Sequence, residues 1–170
     1  MERRLKIFLV LFFCIIVLSL FQCKIYHSSS VSGELISHSD CLNSTSGGDR
    51  SSAEDIDSNY EIIRYKYEDG VLRLTHENSV FNCCPGEINA TVSIKNSSIV
   101  INEKEKSAEC SCMCLYKLDY KIDGLTPSVY NFTIFSKYIP EENNKITFTI
   151  DLLKNSQGVF YFQRDTYPWI

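Results

Sequence analysis

The chain has 170 residues, 44% hydrophobic and 22% charged, with eight cysteines and a formal charge of -4. That composition excludes a wholly disordered chain and a polytopic membrane protein. The small charge imbalance points to no polyelectrolyte partner.

A leader comes first. Arg3, Arg4 and Lys6 stand with Glu2 ahead of an unbroken apolar run, Ile7 to Phe21. This is the basic n-region and apolar h-region of a secretory signal. The run has 15 residues, short of the roughly 17 to 20 that a spanning helix needs. The expected signal covers residues 1–22; a retained membrane anchor is the alternative. Leu20-Phe21-Gln22-Cys23 ends the run and resembles the lipoprotein box of bacterial lipoproteins. In that family a leucine stands three residues before a cysteine that is acylated. Leu20 and Cys23 match the pattern, while Phe21 and Gln22 are bulkier than usual. The resemblance implies lipidation at Cys23 and a membrane-anchored, extracytoplasmic place in the cell envelope.

Residues 1–22 hold three basic residues and one acidic, a charge of +2, so the remainder carries -6. An acidic chain with no basic stripe lacks the footprint of a nucleic-acid binder. Only seven glycines occur, and they form no phosphate-cradling loop. No cofactor is expected.

From His27 to Asn59 serine dominates, with Gly47-Gly48 and the acidic Glu54, Asp55 and Asp57. Such a stretch buries too little surface to offset its ordering entropy. Residues 23–59 therefore read as an attachment point and polar linker, and residues 60–170 as one domain.

The domain alternates with period two, the mark of half-buried strands. Tyr60 to Tyr67 is the first strand, Asp69-Gly70 a hairpin turn, and Val71 to Val80 the second. Ile88, Ala90, Val92 and Ile94 mark the third. Asn96-Ser97 turns the chain into Ser98 to Glu103. Tyr116 to Ile122, Tyr130 to Ile134, Ile146 to Leu152 and Val159 to Phe162 complete the series. No segment carries a strong helical period. Seven or eight short strands predict an all-β, antiparallel two-sheet sandwich. Asp123-Gly124-Leu125-Thr126-Pro127-Ser128-Val129-Tyr130 resembles the turn into a late strand of fibronectin-III-like and immunoglobulin-like domains. There a leucine plugs the core and a tyrosine bonds back to backbone. Leu125 and Tyr130 would take those places.

The cysteines carry the sharpest chemistry. Cys14 lies in the leader and Cys23 is the lipidation candidate. Cys41, Cys83, Cys84, Cys110, Cys112 and Cys114 remain, an even number suited to disulfides. On a strand, Cys110, Cys112 and Cys114 would share one face. Adjacent Cys83 and Cys84 would each pair with that group, and Cys41 would tie the linker to the domain or remain the odd partner for whichever thiol is left. The competing reading is a Zn or Cu site built from Cys83, Cys84, Cys110, Cys112 and Cys114, with His76 as an extra ligand. The spacing is not the C-x2-C of zinc ribbons.

Low-pKa thiols in C-x-x-C or a Cys–His pair would mark a redox or nucleophilic enzyme. Neither is visible, and no enzyme is expected. His76 shares a strand face with Leu72 and Leu74, where a hydrogen-bonded core histidine is the ordinary reading. Glu103 with Glu105 and Glu141 with Glu142 read as solvated carboxylates. The aromatic Phe160, Tyr161, Phe162 and Tyr167 to Ile170 read as a plug over the open end. Sequons stand at Asn43, Asn89, Asn96 and Asn131, acceptors in a glycosylating secretory pathway and silent otherwise. The combined expectation is a membrane-tethered, extracytoplasmic interaction module for a protein or glycan ligand. A cell-envelope metal-binding protein is the alternative. The layout of signal, polar tether and one β-domain resembles small bacterial lipoproteins with an immunoglobulin-like domain.

Overall fold

The computed structural model describes residues 30–42, 60–138 and 145–164. They form nine strands. In chain order these are β1 (Ser32–His38), β2 (Tyr60–Glu68), β3 (Val71–Asn82), β4 (Ile88–Lys95) and β5 (Ser98–Glu105). Then come β6 (Met113–Asp123), β7 (Val129–Phe135), β8 (Lys145–Asp151) and β9 (Gln157–Gln163). The described residues contain no helix long and apolar enough to cross a membrane. The leader, Cys14 and Cys23 lie outside the described residues.

The strands form two sheets. The larger has the order β1-β6-β3-β2-β9 and the smaller β4-β5-β7-β8. Eight of the nine strands coincide with the alternating segments, because alternation is the direct imprint of one buried and one solvated face. Ile63, Leu72, Leu74, Leu118, Tyr120 and Ile122 meet Ile99, Ile101, Phe132, Ile134, Ile146 and Ile150 in one core. The turns follow local chemistry: Asp69, Gly70 and Asn96 adopt positive φ of 50°, 82° and 55°, a region open to Gly and to Asn or Asp.

Two features depart from expectation. First, β5 and β7 pair in parallel, Ile99 opposite Phe132 and Ile101 opposite Ile134. The intervening β6 lies in the other sheet, so the chain crosses over and returns in the same direction. The smaller sheet is therefore mixed rather than antiparallel. Second, the linker reading of residues 23–59 is corrected for the segment around β1. Ser32–His38 pairs with β6, Leu35 opposite Tyr120. Its alternation is broken by a bulge between Leu35 and Ser37, which leaves Ile36 45% exposed and hides the strand's period. Gly33 makes the docking possible, since a Cβ there would meet Val92 Cγ1 at 2.6 Å. The glycine lets β1 close the sandwich edge beside β4.

Candidate functional site

The chemistry-bearing residues gather at one end of the sandwich, in two groups. The first is ionic and sealed. A bulge builds it: His76 opposes Leu118, but Ser79 opposes Tyr116. One extra residue enters β3, with Asn78 at φ 63° and its Nδ2 donating to Tyr60 O at 2.7 Å. The inward face therefore passes from Leu72, Leu74 and His76 to Ser79 and Phe81. Re-aiming side chains is a characteristic effect of bulges.

His76 is fully buried. Its Nδ1 donates to Glu103 Oε1 at 2.7 Å and its Nε2 to Glu61 Oε2 at 3.3 Å. Glu103 also accepts from Tyr120 Oη and Ser79 Oγ, both at 2.7 Å, and from Ser136 Oγ at 3.4 Å. Arg164 Nη2 donates to Glu61 Oε2 at 2.7 Å. Two cations and two carboxylates thus balance inside the protein. A buried charge survives only when so paired. Glu61 Oε1 has no hydrogen-bond partner among the described residues.

The electrostatics follow from the geometry. Burial opposes charge on His76, yet Glu103 and then Glu61 outweigh it and raise its pKa to about 10. Burial likewise opposes ionisation of Glu103. The adjacent imidazolium and the bonds from Ser79 and Tyr120 overcome it and lower the carboxyl pKa. Tyr120 is pushed well above its ordinary value by burial and by the charge of Glu103.

The second group closes the same end covalently. The pairs are Cys41–Cys114, Cys83–Cys112 and Cys84–Cys110, with Cα separations of 5.6, 5.6 and 5.5 Å. These lie within the usual disulfide range. The expected partition holds: Cys83 and Cys84 both reach the Cys110 to Cys114 group, and Cys41 ties the N-terminal segment to the domain. The shared-face picture of that group does not hold. Only Cys114 is on β6, fully buried, while Cys110 and Cys112 precede the strand and Cys112 is exposed. Cys83 N donates to Cys112 O at 3.1 Å, continuing the β3–β6 ladder into the disulfide region. Asn82 clamps the group, its Oδ1 accepting from Cys84 N at 2.9 Å and Cys110 N at 3.2 Å.

The metal arrangement loses its parts. The thiols are bonded to one another, and His76 faces carboxylates instead of cysteines. Among the described residues no group of three or more His, Cys, Asp or Glu side chains is arranged to hold a metal ion.

The solvated reading of Glu103 and Glu105 is also corrected. Both continue the inward parity of Ile99 and Ile101 on β5. Glu105 is enclosed and accepts from Asn82 N at 2.9 Å, Lys137 Nζ at 3.3 Å and Tyr138 Oη. Inward parity was the available signal for both. Glu61, on the inward parity of Ile63 and Tyr65, escaped notice for want of an apolar side chain. Glu141, Glu142, Asn43, His27 and residues 167–170 lie outside the described residues. His38 is exposed on β1.

At the opposite end, Tyr130 Oη donates to Thr126 O at 2.9 Å, and Leu125 is buried against the core. The leucine and tyrosine thus do what the resemblance implied for this turn. Phe160 and Phe162 pack on the core, and Tyr161 is 61% exposed.

Comparison with protein-family models, with curated proteins and with solved structures finds no match.

Proposed function

We propose that the chain is an exported interaction module, held outside a membrane by its N-terminal segment and binding a protein or glycan ligand through its outer surfaces. The observation that carries the reading is the set of three disulfides at one end of a packed sandwich. Such bonds persist in oxidising compartments and are rare where thiols are kept reduced. The basic-then-apolar leader supplies the route of export. The interior supports binding over catalysis: His76, Glu61 and Glu103 are 0%, 0% and 3% exposed, so solvent-borne substrate does not reach them. The Tyr130 bond and the Leu125 plug support an immunoglobulin-like kinship for the sandwich.

The test is made on intact cells. Protease added outside is expected to cleave the chain, and thiol titration of the unreduced product to find no free thiol among the six domain cysteines. Crosslinking on the same cells is expected to trap a stoichiometric surface partner. A protease-protected chain with reactive thiols overturns the reading. Labelled fatty acid incorporated by the wild type and lost in Cys23→Ser assigns the tether to a lipid. Incorporation that persists in the variant rejects Cys23 as the attachment point.

A further inference from the structure

Three of the four sequons fall on described residues, and all three belong to the smaller sheet. Asn89 is on β4, Asn96 in the β4–β5 turn and Asn131 on β7. Each asparagine is exposed. Asn89 and Asn131 alternate with the core residues Ile88, Tyr130 and Phe132, so both point outward from the same face. Asn131 opposes Ser98, the hydroxyl residue of the Asn96 sequon, which makes these two acceptors neighbours. The middle residues are Ala90, Ser97 and Phe132, none the forbidden proline.

Asn78 and Asn82, buried at 3% and 4%, stand outside any sequon. The five-stranded sheet carries no sequon on its strands. At Asn131, Thr149 Oγ1 donates to Oδ1 at 2.9 Å. That bond engages the amide oxygen and not Nδ2, the atom that would carry the sugar.

We propose that Asn89, Asn96 and Asn131 are N-glycan acceptors and that the outer face of the four-stranded sheet is a glycosylated face. The donor class is an oligosaccharide on a polyprenyl pyrophosphate. Asparagine Nδ2 forms a bond to C1 of the first sugar, and the bond from C1 to the pyrophosphate oxygen breaks. The lipid pyrophosphate leaves with that electron pair, and the amide gives up one proton. Glycans are bulky, hydrophilic groups that belong at the surface, and these three positions accept them without disturbing the core. The covered face would be withheld from direct protein contact, leaving the five-stranded sheet's outer face for a partner.

This inference rests on the export half of the proposed function and goes beyond its interaction half. Full-length chain from its own cells is treated with peptide N-glycosidase in heavy-oxygen water and mapped by mass spectrometry. Heavy aspartate is expected at positions 89, 96 and 131. The intact mass should fall by the mass of the released glycans. Conversion at two or three of these positions supports the glycosylated face; conversion at one or none overturns it. Bare asparagines on an exported, fully disulfide-bonded chain would defeat this proposal alone. Free thiols on a cytosolic chain would defeat the export reading as well.

Discussion

The two ends of the sandwich are closed by opposite chemistry. At one end Leu125 and Tyr130 cap an aliphatic and aromatic core, and the Tyr130 and Tyr67 hydroxyls bond to backbone at Thr126 and Leu125. At the other, the same two sheets enclose His76, Glu61, Glu103 and Glu105, and disulfides cross just outside. The apolar end gains from every area of surface it hides. The ionic end gains only while each charge keeps its partner. The first degrades gradually when trimmed; the second fails abruptly when one member is removed.

The largest effect is therefore expected from Glu103→Ala. It leaves His76 facing Glu61 with its closest carboxylate gone and strips Ser79 and Tyr120 of their acceptor. Removing one partner of a buried ion pair typically costs about 3–5 kcal/mol. A urea midpoint equal to wild type would show that the cluster does not stabilise this end.

Next comes Cys41→Ser with Cys114→Ser. These residues are 73 apart in sequence, and freeing so long a loop costs on the order of 4 kcal/mol in the chain-entropy picture. Calorimetry should show the loss, with β1 amides exchanging first. Loss of Cys84–Cys110 alone is expected to cost less, because Cys83–Cys112 still closes nearly the same loop.

Titration separates the ends without mutation. His76 has a raised folded pKa, so its contribution is complete below the unfolded value near 6.5 and is lost as pH rises toward about 10. Glu103 has a lowered one, so its contribution is present above 4.5 and is lost as pH falls through its folded value. Thermal midpoints should be highest between these limbs, and His76→Gln should flatten the alkaline limb. A wild-type alkaline limb that the substitution leaves unchanged would contradict the assignment.

The smallest effect is expected at the apolar end. Tyr130→Phe removes the bonds that the hydroxyl makes to Thr126 O and Thr126 N and keeps the ring, a cost of about 0.5–1.5 kcal/mol per bond. A loss as large as that of Glu103→Ala would erase the contrast between the ends.

Much of this architecture was legible in the chain. Alternation located β2 through β9, and Asp69-Gly70 and Asn96-Ser97 located two hairpins. The cysteine reading sent Cys83 and Cys84 to the Cys110 to Cys114 group, where the structure pairs them. The residues that escaped did so for identifiable reasons. β1 hides behind serine-rich composition and a bulge. Glu61 and Glu103 were lost because a carboxylate at an inward position looks like a solvated one until its partner is seen.

The sequence by itself determined the alternating strands, the turns and the even set of domain cysteines, because these are local consequences of side-chain period and backbone preference. Only the tertiary structure decided which charges meet, that β5 and β7 run parallel, and that β1 joins the domain. Those outcomes depend on contacts between segments far apart in the chain, and no local period encodes them. Glu103 gives the clearest case: its parity points it inward, and 27 residues separate it from the His76 imidazolium that permits it to stay there.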